Sequence, residues 1–261
     1  MAIGTRQQNR TFAKRLRNGD LLNSTIVTIN APQVTELLSE AGLDWLFIDG
    51  EHGAFGIDAL QNLLQAANIP ALVRVSHAER VALRNVLDIG AAGVIVPQVN
   101  NAQAAQDIVS WCRYPPAGTR GVGLTRASRY GFEFKDYLKS AAEETVIIVQ
   151  AEHKDAVSEI EAIASVEGVD GILIGPYDLS ASYGKAGMIN DAEIQDAMDT
   201  ICRACLSKNK VLGFFGMNIE AVMPWIERGA TLITVGVDCV TLGTNTKQYA
   251  DDLQKRLVGD E

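Results

Sequence analysis

The chain has 261 residues and a formal net charge of −9, from 23 Lys and Arg against 32 Asp and Glu. Hydrophobic residues make up 47%, enough for a large core, and the length suits either two small domains or one barrel-sized domain. The acidic balance, with no basic patch, argues against nucleic-acid and anionic-membrane partners; an anionic substrate needs local cations or a metal.

The pattern opens with a basic amphipathic helix at about 10–18, followed by a strand at about 21–29. Pro32 starts a helix with Val34, Leu37, Leu38 and Ala41 on one face. A second strand, 45–49, is apolar almost throughout and runs into Asp49-Gly50-Glu51-His52-Gly53. Helices marked by Leu60, Leu63 and Leu64, and by Leu83, Val86 and Leu87, flank a third strand at 71–75. The fourth strand is 93–97, and Ala104, Ala105, Ile108 and Val109 mark its helix.

Residues 113–132 break the rhythm. Pro115, Pro116 and several glycines forbid a regular helix through most of this piece. Gly118-Thr-Arg-Gly-Val-Gly123 is a weak phosphate-loop signal, because it does not directly follow a strand. Strands at 146–150, 171–175, 211–215 and 231–235 follow. Helices around Ala156–Ile163, 191–207, Ile219–Ile226 and 243–257 alternate with them.

Eight short strands alternating with helices, without a linker, require parallel strands and right-handed crossovers. At this length the pattern predicts a single α/β domain over 1–261, a (β/α)8 TIM barrel with an extra N-terminal helix. The four cysteines are Cys112, Cys202, Cys205 and Cys239, too few for a disulfide scaffold. Cys202 and Cys205 have redox-pair spacing, but share a helical stripe with Ile194, Ala197, Met198 and Ile201 and read as buried thiols. Met1–Gln8 has no signal-peptide core, and no apolar run reaches the ~18–20 residues of a membrane span. A cytoplasmic location is the expectation.

In a barrel the strand C-termini open on one face, and chemistry is found there. The polar residues at those ends are Asp49, Glu51 and His52, then Arg74, then Gln150 and Glu152, then Tyr177 and Asp178. Glu152 and Asp178 lie one β-α-β unit apart, which predicts adjacent strand ends about 4.8 Å apart. Two carboxylates so close repel unless a cation lies between them or one holds a proton. Such a pair, with waters and substrate oxygens, suits Mg²⁺ or Mn²⁺. Helix capping by Asp178 is the structural alternative. Arg74 either pairs with a neighbouring acid or binds an anionic substrate group. His77 and His153 are expected to face solvent.

Asp44–His52, Val73-Arg74, Leu87–Gly90, Arg113–Gly123, Gln150–Glu152 and Gly168–Ser180 together resemble the metal-dependent class II pyruvate aldolases. The closest type is the 4-hydroxy-2-oxoheptanedioate and 2-dehydro-3-deoxyglucarate aldolases. The resemblance runs in order from about residue 12 to the end. It implies reversible cleavage of 4-hydroxy-2-oxo acids to pyruvate, or a close 2-oxo acid, and an aldehyde. It implies a divalent metal (Mg²⁺, Mn²⁺, Co²⁺ or Zn²⁺) on Glu152 and Asp178. It makes His52 the proton acceptor, Arg74 the transition-state stabiliser and Asp88 the group that raises the basicity of His52. Gln150 and the backbone around Tyr177, with Arg74 and Asp178, would contact substrate. It also implies a homo-hexamer, a trimer of dimers, with the last helix exchanged between subunits.

Two features depart from that pattern. Tyr177 stands where relatives commonly carry Ala. Asp88 ends a helix before the fourth strand, on the opposite face of its own barrel. Arg126 or Arg129 could meet the acceptor aldehyde, or be exposed charges. The competing readings are a CoA-thioester lyase of the same superfamily and a non-catalytic, dicarboxylate-binding barrel.

Overall fold

A computed structural model describes residues 6–258; Met1–Thr5, within the stretch read as lacking a signal-peptide core, and the last three residues lie outside it. The strands are β1 Leu22–Val27, β2 Leu46–Asp49, β3 Ala71–Arg74, β4 Gly93–Val96, β5 Val146–Ala151, β6 Gly171–Ile174, β7 Val211–Gly216 and β8 Leu232–Val237. The first helices are α1 Arg6–Arg17, α2 Pro32–Ser39, α3 Ile57–Ala66, α4 Arg80–Asp88, α5 Ala102–Cys112 and α6 Phe134–Glu144. They are followed by α7 Lys154–Ser158, α8 Ile160–Ala164, α9 Pro176–Ser182, α10 Ala192–Ser207, α11 Ile219–Glu227 and α12 Asp238–Val258. The strands form one closed parallel barrel in sequence order, β1 through β8 and back to β1.

Most strand residues are buried whichever way they point, as a barrel requires. One face fills the interior: Leu22, Phe47, Leu72, Ile95, Ile148, Leu173 and Leu232 pack there. Phe12, Ala13 and Leu16 of α1 join this layer, so α1 plugs the N-terminal end. The other face packs on the helix ring, where Cys202 and Cys205 are buried free thiols, as expected, and Cys112 is buried too.

The structure adds detail that the pattern did not reveal. α6 lies in the β4–β5 crossover, with Tyr137 and Ala141 buried; the proline- and glycine-rich stretch before it masked its start. The helix expected around 156–163 is broken at Glu159 into α7 and α8. The short helix α9 was not anticipated, and α12 begins at Asp238 rather than 243. Leu242, Tyr249, Leu253 and Leu257 of α12 are exposed on this chain.

The Arg113–Gly123 motif is used structurally. Arg120 is buried, lies 4.6 Å over the Tyr114 ring, and donates to Asp88 Oδ1 at 2.8 Å and to the Tyr137 hydroxyl at 3.2 Å. Gly118 abuts the Ser110 and Arg113 carbonyls so tightly that a Cβ would collide with them. Close backbone approach, rather than a phosphate cradle, explains that glycine.

The barrel closes at β1–β8. Ser24 and Thr234 share a buried hydroxyl pair at 2.9 Å. Asp238 then ties the start of α12 to the end of β1, accepting from the Thr28 amide at 3.0 and 2.9 Å, the Ile29 amide at 2.9 Å and the Thr28 hydroxyl at 2.6 Å. Removing this acceptor leaves two half-buried amides without their partner, each worth about 1–3 kcal/mol. Asp238→Ala is therefore expected to destabilise the fold by roughly 2–4 kcal/mol, read as a lower urea midpoint with unchanged slope.

Candidate active site

The β2–β3 register sets Asp49 directly beside Arg74. Arg74 Nε donates to Asp49 Oδ1 at 2.9 Å and Nη2 to Oδ2 at 2.7 Å, a buried two-pronged pair. Arg74 Nη1 lies 3.0 Å from Glu51 Oε2, and the guanidinium sits 5.4 Å from the Phe47 ring centroid. Burial acts to raise the Asp49 carboxyl, but the hydrogen bonds and charge of Arg74 outweigh it and hold the group below its usual range.

Asp49 also fixes the turn beyond β2. Its Oδ1 accepts from the Glu51 and His52 amides at 3.1 and 3.3 Å. The Gly50 amide donates to Arg74 O at 2.8 Å, and a Cβ on Gly50 would lie 2.6 Å from that oxygen. The turn therefore needs glycine there. The His52 imidazole is held out at the mouth, 66% exposed, with Nε2 3.8 Å from Glu51 Oε2.

On the facing side β5 ends in Gln150 and Ala151, and Glu152 follows directly. Glu152 is 1% exposed. Its Oε1 accepts from the Gln98 amide at 2.8 Å, and its Oε2 makes a short contact with Gln150 Nε2. Gln98 takes a left-handed φ of 56°, a strained position that aims its amide at Glu152. Gly175 lies against Glu152 as well: a Cβ there would fall 2.7 Å from Oε2. Neither Gln98 nor Gly175 carries a sequence signal for this role, because both act through backbone.

Asp178 lies in the first turn of α9, behind Gly175 at the N-cap, so it is not the capping residue. Its charge still suits the positive end of the helix. Burial pushes the Glu152 carboxyl up to about 7; the Gln98 amide opposes this, and the charge of Asp178 adds to it. Burial likewise raises Glu51, with Arg74 and His52 opposing and Asp49 and Asp178 reinforcing.

His52, Arg74, Gln150, Tyr177 and Asp178 line one cavity of about 210 Å³, walled by Ile26, Phe47, Leu173 and Phe215. Glu152 sits just beneath, bonded to Gln150. Asp88 is not brought there: within the chain it pairs with Arg120 near the start of β4. Arg126 and Arg129 line a different cavity. His153 caps α7, accepting from the Asp155 amide, and His77 pairs with Ser76 and Glu79.

The donor set fits a hard divalent cation. Gln150 Oε1 is buried without a hydrogen-bond partner, and Glu152 and Asp178 repel across the same space. Among the described residues no cluster of three or more His, Cys, Asp or Glu surrounds a metal position. The protein thus offers two carboxylates, as Mg²⁺-type sites do when substrate and water complete the shell.

The HpcH/HpaI aldolase/citrate lyase family matches residues 26–244. The chain belongs to this family. Membership makes it a carbon–carbon lyase of the aldolase type. It is 36% identical to the hydroxypyruvate/pyruvate aldolase of Pseudomonas aeruginosa, over 92% of this chain and 91% of that protein. It is 35% identical to the 2-keto-3-deoxy-L-rhamnonate aldolase of Escherichia coli K12, over 95% of this chain and 91% of that one. A family member of solved structure from Burkholderia cenocepacia superposes with a TM-score of 0.90 at 31% identity, covering 94% of this chain and 99% of that one.

The elevated Glu152 sets a pH dependence. Its folded value, about 7, lies above the ordinary 4.5, so its ionisation opposes folding. That penalty is absent below about 4.5 and complete above about 7, reaching about 3 kcal/mol over this window. EDTA-treated protein is expected to lose stability as pH rises from 4.5 to 7. Glu152→Gln should flatten that slope in denaturant titrations; an unchanged slope would place the titration elsewhere.

Proposed function

We propose that the protein catalyses reversible aldol cleavage of 4-hydroxy-2-oxo acids, giving pyruvate or a close 2-oxo acid plus an aldehyde. The observation that carries this reading is the convergence of Asp178, Gln150 and Arg74 on one cavity at the strand C-termini, with Glu152 bonded to Gln150 directly beneath it. Glu152 and Asp178 would hold a divalent cation, whose Lewis acidity draws electron density from the keto oxygen of the 2-oxo acid.

The chain's own groups carry the remaining work. Arg74 has five N–H donors; three are directed at Asp49 and Glu51, and the remaining two are available to the oxygen that gains negative charge. Its position is fixed before substrate arrives, which is the condition for effective charge stabilisation. Gln150 and the backbone around Tyr177 orient the oxo acid. In the cleavage direction His52 takes the proton from the 4-hydroxyl as the C3–C4 bond breaks and the aldehyde leaves. The bond electrons pass into the oxo-acid fragment, and a proton returned to its methyl carbon completes pyruvate.

Within its own chain Glu51 is the carboxylate nearest His52. A role for Asp88 in raising the basicity of His52 requires Asp88 of a neighbouring subunit. The exposed apolar stripe Leu242, Tyr249, Leu253 and Leu257 supports an assembly in which α12 packs on such a neighbour, as the hexamer reading holds. Tyr177 lines the cavity where a smaller residue would leave it wider, and is the candidate for setting acceptor size.

Pyruvate release from a 4-hydroxy-2-oxo acid tests the reading. EDTA should abolish it, and Mg²⁺, Mn²⁺, Co²⁺ or Zn²⁺ should restore it, their order naming the preferred metal. Full activity in EDTA would sink the metal reading. Arg74→Ala should lower kcat by about 10²–10³ while the fold persists; near-normal turnover would remove Arg74 from the chemistry.

A further inference from the structure

A larger cavity, about 340 Å³, lies at the N-terminal end of the barrel and shares no lining residue with the catalytic one. It is walled by α1, the Gly90-Ala91 turn into β4, the kinked 3-10 segment Arg126–Gly131, and α6. The chain as a whole is acidic, at −9. This cavity runs against that balance, since Arg6, Arg10, Arg126 and Arg129 line it with Glu133 and Glu144.

Three of the four arginines are paired. Arg6 meets Glu133 and Glu144 at 2.9 Å each, Arg10 meets Glu144 at 3.3 Å, and Arg129 meets Glu133 at 2.7 Å. Arg126 is different. Among the described residues no carboxylate lies within ion-pair distance of it. Its Nη1 donates to Ile89 O at 2.8 Å and its Nη2 to Leu64 O at 3.0 Å. Those carbonyls occupy two donors but leave the charge uncompensated. Burial accordingly acts against its protonated form.

The surroundings are shaped to this guanidinium. Gly90 holds a φ of +94°, and a Cβ there would fall 2.6 Å from Arg126 Nη1. A second arginine, Arg10, lines the same cavity; its Nε has no hydrogen-bond partner and lies 3.8 Å from Glu143 Oε2. A half-buried guanidinium without a carboxylate partner, in a cavity lined by further arginines, matches an anion with several acceptor oxygens.

We propose that this cavity is a second ligand site, binding a small oxyanion, a phosphate or a dicarboxylate, through Arg126 and Arg10. The site also touches Ala91 and Thr145, which lead into β4 and β5. Its occupant therefore braces the entry to the strand that carries Gln150, without competing with the oxo acid.

Thermal unfolding of the full chain at constant ionic strength tests this, with millimolar inorganic phosphate in one arm and succinate in the other. A saturable rise in Tm, on the order of 5 °C at about 100-fold excess over Kd, supports the site, and the more effective arm names the anion class. Arg126→Met and Arg10→Met should each lose the rise while keeping aldolase turnover measured without added anion. Arg74→Lys should keep the rise, because that residue belongs to the other cavity. Arg10→Met decides alone if Arg126→Met fails to fold. No saturable rise with either anion, a rise preserved in Arg10→Met, or one lost in Arg74→Lys overturns the proposal. None of these outcomes bears on pyruvate release, so the two readings stand or fall separately.

Discussion

The active face depends on one buried ion pair. Arg74 lies at the end of β3 in an otherwise apolar barrel, where an unpaired guanidinium would cost several kcal/mol. Asp49 meets it with both carboxylate oxygens because the β2–β3 register sets the two residues side by side. The same carboxylate accepts from the Glu51 and His52 amides. One side chain thus positions the cation, the turn and the imidazole together. For the role proposed for Arg74, rigidity is the gain, since charge stabilisation works only when the stabilising group need not reorganise.

A second consequence is electrostatic. Asp49 and Glu51 take the ion pairs of Arg74, whose charge reaches Glu152 only at longer range; among the described residues Glu152 and Asp178 have no ion-pair partner and repel each other. Burial and mutual repulsion then make the ionised pair unfavourable, and a divalent cation relieves both. Gly175 and the strained Gln98 amide hold Glu152 in that costly position. The opposite end of the barrel has the reverse character, with arginines in excess and Arg126 held by carbonyls alone.

Much of this was legible from residue order. Short apolar runs alternating with helical stripes were enough to predict the barrel, because a parallel strand buried on both sides must be apolar throughout. The polar residues Asp49, Arg74, Gln150 and Glu152 stood out by interrupting or ending such runs. α6 was missed because the Pro- and Gly-rich stretch before it hid where periodicity resumed. Asp178 was expected at a strand end, yet stands one helical turn further on, in α9.

The sequence by itself determined the strand order, the barrel class and most of the residues at its mouth, because these follow from period and chain distance. Tertiary structure decided their partners. That Asp49 rather than a substrate takes the inner edge of Arg74, that a Gln98 amide reaches Glu152 across 54 residues, and that Asp88 bonds Arg120 and not His52 are all matters of register and closure. Spacing along a chain gives the face a residue occupies; only strand register and loop closure set which oxygen meets which hydrogen within 3 Å.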